Sequence, residues 1–223
     1  MKEKAGSVFS LAAEYEPQPG CTESGELFAS KYGSAIVFSL AAGTEISPET
    51  YAQEKMIVLL QGTLQVLEPQ ADSNPKLQAE EAILIPGNTL TGFQTGSGAV
   101  YLEITLNTGH FNEALPVNRS FVLKDLIPVR ENRIVNMDLG SNPGMKFVLM
   151  TFDRNTGLSE HAAPGDALIF ALSGKGIIGY EGKDYALKTS ENFKFAAGGR
   201  HTVSADGPFV MALLMELPAF SER

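Results

Sequence analysis

Apolar residues come along this chain in short runs separated by turn formers. Positions 34–40, 56–60, 64–67, 82–85 and 100–106 are such runs, with Gly, Pro, Asn and Asp on their flanks. Further runs occupy 146–152, 167–172, 177–180, 192–195 and 209–216. Their lengths predict strands rather than helices. The stretch Tyr180-Glu181-Gly182-Lys183-Asp184-Tyr185 predicts a hairpin turn between alternating strands. No long segment carries a helical period, and residues 11–16 and 122–126 predict a single turn of helix or an edge strand. Many short strands at regular spacing predict an all-β sandwich or barrel.

The runs repeat. Phe9-Ser10-Leu11 aligns with Phe121-Val122-Leu123, and Ala35-Ile36-Val37-Phe38 with Phe147-Val148-Leu149-Met150. The same shift places the run 57–62, which ends at Gly62, on the run 169–174, which ends at Gly174. After a two-residue difference in a loop, 83–86 meets 193–196 and 100–104 meets 210–214. Identity is low, but the order of apolar runs and glycines is kept. This predicts two copies of one domain, 1–107 and 119–223, with 108–118 as connector.

Composition narrows the class. Of 223 residues, 43% are hydrophobic and 19% charged, which suits a globular protein with a sizeable core. A formal net charge of -9 without a basic cluster argues against nucleic acid as a partner. The one cysteine, Cys21, excludes an internal disulfide framework and a multi-thiolate metal site. No apolar segment approaches membrane-spanning length and the N-terminus lacks the form of a signal peptide, so a cytoplasmic protein without a membrane partner is expected. Gly62, Gly174 and Gly176 read as turn or bulge glycines, since no phosphate-loop pattern surrounds them. No Gly-x-Ser-x-Gly occurs.

Two of the three histidines, His161 and His201, stand where a small barrel would point side chains inward. The segments Leu158-Ser159-Glu160-His161, Pro164-Gly165-Asp166-Ala167-Leu168 and Leu172-Ser173-Gly174-Lys175-Gly176 resemble the first motif of the cupin superfamily, an RmlC-like conserved barrel. Ala196-Ala197-Gly198-Gly199-Arg200-His201 resembles the second motif. The resemblance covers 119–217 well and 8–106 weakly. It implies an all-β fold of two tandem cupin-type double-stranded β-helix (jelly-roll) barrels, a bicupin, with the first barrel degenerate.

The resemblance also implies a site. Family members typically hold a transition metal with a His-x-His pair, a nearby glutamate and a histidine of the second motif. Here His161 and His201 stand at two of these positions, Ala163 replaces the second histidine, and Asp166 lies beside the glutamate position. Two alternatives stay open. His161, Ala163, Asp166 and His201 line a ligand pocket, or His161 and His201, with Asp166 as third ligand, hold one divalent ion (Mn, Fe, Ni, Cu or Zn). Glu49, Tyr51, Lys55 and Thr91 align with His161, Ala163, Ala167 and His201, so no cofactor is expected in the first barrel.

Strand alternation places Glu160 and Arg200 outward, and His110 is expected in solvent. Glu49, Tyr51, Glu54 and Lys55 read as a solvated loop at the aligned mouth, with a retained metal-free polar pocket as the alternative. Met145, Met150, Met211, Met215, Phe147, Phe170, Phe193, Phe195 and Phe209 are expected in the core. Three functions remain: a small-molecule or metal-binding protein, a metal-dependent dioxygenase or isomerase acting on a small organic acid or sugar, or a structural or regulatory protein. A homodimer, or an intramolecular pseudo-dimer in which the two halves cover each other, is expected as partner state, because open sheet edges are commonly covered.

Overall fold

A computed structural model describes residues 1, 3–69 and 74–218. The chain forms two compact units, one of Leu11–Leu123 and one of Met1–Ser10 with Lys124–Arg223. This differs from the expected division at 107 and 119. The first ten residues lie with the second unit, where Val8–Phe9 pairs antiparallel with Asn192–Phe195 (Val8 opposite Phe193). Ser120–Val122 lies with the first unit and pairs with Glu81–Ile85 (Ser120 opposite Ile83). Burial explains the shift: Val8 packs on the second core, and Phe121 is buried in the first unit. The expected connector is also part of the first unit. Phe111 and Leu115 are buried, Val117 bridges Leu84, and Asn118 donates to the Leu84 carbonyl.

In the first unit the strands run in the spatial order Ser120–Val122, Glu81–Ile85, Lys55–Leu67, Ala99–Leu106, Gly33–Leu40 and Thr22–Ser30. Glu45–Thr50 pairs with Leu90–Gln94, which returns to Lys55–Leu67 and curls the sheet. In the second unit the order is Val8–Phe9, Asn192–Phe195, Asp166–Tyr180, Arg200–Glu216, Met145–Phe152 and Ile134–Asn142. Gly157–Ala162 pairs with Arg200–Glu216 and curls this sheet in turn. The two orders correspond strand for strand, so the sequence repeat is a repeat of jelly-roll topology. Each edge strand leads into one short helical turn, Leu11–Glu14 and Leu123–Asp125.

The longest strands merge runs that the sequence separates. Lys55–Leu67 and Asp166–Tyr180 each continue through a glycine, Gly62 or Gly174. An extra residue just before that glycine, between Leu59 and Gln61 or between Ala171 and Ser173, shifts the register. Gly62 and Gly174 take φ of 85° and 79°, and a Cβ on either would stand 2.0 Å from the carbonyl oxygen of Gly98 or Pro208. The strand therefore bends there without ending, and one ribbon serves both walls of its barrel. The hairpin at 180–185 is as expected: Tyr180 pairs with Lys183 across Glu181 and Gly182, both at positive φ. The expected core residues Met145, Met211 and the five phenylalanines are buried, and Met150 and Met215 pack at the edge of that core.

Candidate functional site

Strands Gly157–Ala162 and Arg200–Glu216 are antiparallel, and their register sets His161 directly opposite His201. The rings lie 4.2 Å apart at 54°. Each Nδ1 is held by a carbonyl two residues earlier, at 2.8 Å from Ser159 for His161 and 3.1 Å from Gly199 for His201. A carbonyl only accepts, so in each ring Nδ1 carries the proton and Nε2 is the lone-pair nitrogen of the neutral imidazole. His161 is exposed. His201 is 6% exposed and stacks on Phe195, with centroids 3.8 Å apart at 22°. Burial pushes its pKa below the ordinary value, the Gly199 hydrogen bond opposes this, and the neighbouring His161 adds to it. The pair thus presents two imidazoles of fixed orientation at a boundary between core and solvent, whose Nε2 atoms, when unprotonated, accept hydrogen bonds or ligate.

The other two expected site residues behave differently. Ala163 is buried in the apolar core and exchanges backbone hydrogen bonds with Gly199 and Gly198. Asp166 accepts from Lys194 Nζ at 2.9 Å, from the Ala197 N–H at 2.9 Å, and at 3.5 Å from the Met1 amine. Burial raises its pKa, and the Lys194 hydrogen bond with the other donors outweighs this and lowers it. Its carboxylate is committed to these cations. Among the described residues no three of His, Cys, Asp and Glu converge where a metal could sit. The residues present do not form the four-donor set of the resemblance: two imidazoles are in place and the third ligand, Asp166, does not join them. Glu160 and Arg200 are both exposed and pair with each other, Arg200 Nε lying 3.1 Å from Glu160 Oε1. His110 is exposed, 3.9 Å from Glu54, and Cys21 is exposed as a free thiol.

The first barrel repeats the geometry with other residues. Glu49 stands opposite Thr91 in the paired strands, as His161 stands opposite His201. Glu49 and Tyr51 are exposed and Lys55 is half-buried, and all three border a cavity together with Tyr101 and Glu103. Of the expected cluster, Glu54 alone turns elsewhere, toward His110 and the Phe111 N–H.

A Cupin 2 conserved barrel domain protein from Leptotrichia buccalis superposes with a TM-score of 0.83 over 96% of this chain and 98% of its own, at 20% identity. This is the cupin fold. An oxalate decarboxylase from Bacillus subtilis, a protein with Mn(II) centres, gives a TM-score of 0.53 at 12% identity over 99% of this chain and 80% of its own. AerE from Microcystis aeruginosa gives 0.51 at 13% identity, covering 91% and 97%. No family model matches the sequence, and no curated protein does. No helix among the described residues is long and apolar enough to cross a membrane.

Proposed function

We propose that this chain is a cytoplasmic bicupin that binds a small molecule in its second barrel, where His161 and His201 meet the ligand. The observation that carries the reading is the state of the two rings. Their Nδ1 atoms are fixed by the Ser159 and Gly199 carbonyls, so each ring in its neutral form offers Nε2 to a ligand donor. Such a pair suits a hydroxyl or a protonated acid, and a small organic acid or sugar is the class it serves. The same two lone pairs support a second reading, in which a divalent ion binds with ligand oxygens supplying the donors that Ala163 and Asp166 do not. The protein of that reading is an enzyme, and the protein of the first is a binding module. A homodimer is the proposed state of association.

Thermal shift with a panel of small organic acids and sugars, with and without Mn(II), tests both. At least one compound should raise Tm, and the rise should vanish in His161→Ala and in His201→Ala alike. A rise that survives both substitutions would remove the histidines from the site. A rise that requires Mn(II), with near-stoichiometric metal in the untagged protein by elemental analysis, selects the metal-dependent reading.

A further inference from the structure

We propose that the first barrel holds a second, metal-free binding site, for a small neutral molecule with one polar end that both donates and accepts hydrogen bonds. The inference concerns the opposite half of the chain from the histidine pair and does not depend on it. The cavity measures about 90 Å³, and its apolar wall includes Phe38, Ile46, Ile85 and Phe93. At about 30 Å³ per water, that is room for about three waters or a ligand of about six non-hydrogen atoms.

Its polar groups are unusual for a wall that merely fills space. Lys55 Nζ lies 3.0 Å from Glu103 Oε1, and the two side chains are 12% and 11% exposed. The same ammonium sits 3.4 Å from the centroid of the Tyr51 ring. The Tyr51 hydroxyl donates to Glu49, and that bond first, then burial, pushes its pKa up to about 12. Tyr51 therefore remains a neutral phenol. Tyr101 is fully buried, stacked on Phe38 with centroids 5.1 Å apart at 12°, and its hydroxyl has no hydrogen-bond partner among the described residues. A buried hydroxyl left unmatched is destabilising, and phenylalanine would supply the same ring without it. Beside a cavity, the orphan hydroxyl is the mark of a group that a ligand completes.

Charge then selects the class. Lys55 and Glu103 neutralise one another, and the second carboxylate, Glu49, adds negative charge at the rim. An anion would face Glu49 and compete with Glu103 for Lys55. A cation would compete with Lys55 for Glu103. A neutral amide or alcohol leaves the pair intact, meets the Tyr101 hydroxyl with its polar end, and lays its carbon chain on the aromatic wall.

Butanamide, butyrate and n-butylammonium are matched probes. Titrated into the full-length protein and followed by the methyl resonances of Ile46 and Ile85, butanamide should give saturable shifts, while the two charged probes bind at least tenfold more weakly. Tyr101→Phe, which keeps the ring packing, should weaken butanamide about tenfold. The inference is overturned if butanamide leaves these resonances unmoved, as it would for a cavity that holds only water. It is equally overturned if Tyr101→Phe binds as the natural protein does, or if either charged probe binds more tightly.

Discussion

Tyr101 and His201 each carry a penalty that a simpler residue would avoid, and each penalty can be read out. Removing the orphan hydroxyl in Tyr101→Phe should stabilise the ligand-free protein by about 1–3 kcal/mol in chemical denaturation. The Lys55–Glu103 pair works in the opposite sense. Lys55→Met leaves a carboxylate nearly buried and alone, and should destabilise by about 3 kcal/mol, whereas Lys55→Met with Glu103→Leu should recover most of that loss. His201 gives a pH signature. Burial first, and the His161 ring in addition, hold its folded pKa below the ordinary 6.5, against the Gly199 hydrogen bond. The unfolded chain therefore takes up a proton sooner than the native one. The stability contributed by neutral His201 is fully present above about pH 6.5 and is lost as pH falls from there through the folded pKa. Denaturation midpoints at about pH 7.5 and 5.5 should differ more for the natural protein than for His201→Gln. At this scale the sequence was informative where partners lie in recognisable motifs. His161 and His201 were visible that way. Glu49, Tyr51 and Lys55 were visible only as a charged group, because Tyr101 and Glu103, which draw them to the cavity, come from a strand far along the chain with no motif of its own. The partners of Asp166, Lys194 and Met1, are equally remote in sequence and carry no motif.

At the scale of elements, the glycines after the bends decide whether one strand can serve two walls. Ala at Gly174 would combine a left-handed φ with a Cβ 2.0 Å from the Pro208 oxygen, and Gly174→Ala should destabilise by about 2–4 kcal/mol. Gly62→Ala should do the same in the first barrel, where Gly98 takes the part of Pro208. Gly182, in the hairpin turn, is the control: its φ is 79° but nothing lies within 4 Å of a Cβ there, so Gly182→Ala should lose only about 1 kcal/mol. If all three substitutions lose equally, backbone conformation alone matters and the close carbonyls are incidental. The same glycines explain why the expected strands were shorter than the real ones. Ser173-Gly174-Lys175-Gly176 has the composition of a turn, and composition does not distinguish a bulge that bends a ribbon from a turn that ends it. Thr22–Ser30 and Ile134–Asn142 went unread for a related reason: both lie toward the outside of their sheets, are buried at only two positions each, and lack the apolar run that marks a buried strand.

At the scale of the whole molecule, the repeat was legible but its boundaries were not, since the edge strand of each sheet comes from the other copy of the repeat, Val8–Phe9 from the first copy and Ser120–Val122 from the second. The repeat aligns Phe9 with Phe121, and the structure places each of these on the sheet of the other copy. An alignment compares residues within a sequence and carries no record of which sheet a two- or three-residue strand joins. The consequence is a test by fragment. A piece cut at the repeat boundary, 1–107, lacks Ser120–Val122 and the buried Phe111, Leu115 and Phe121, and it exposes the edge Glu81–Ile85. A piece cut at the structural boundary, 11–123, keeps all of them. Burying these side chains is favourable by roughly 1.5–3 kcal/mol apiece, which is large against the few kcal/mol that a domain of this size holds in reserve. Fragment 11–123 should therefore give a cooperative thermal transition, while 1–107 unfolds at lower temperature or associates through its open edge. Equal transitions for the two fragments would mean that the edge strand and the segment leading to it contribute nothing to the first barrel, and that the repeat boundary is the physical one after all.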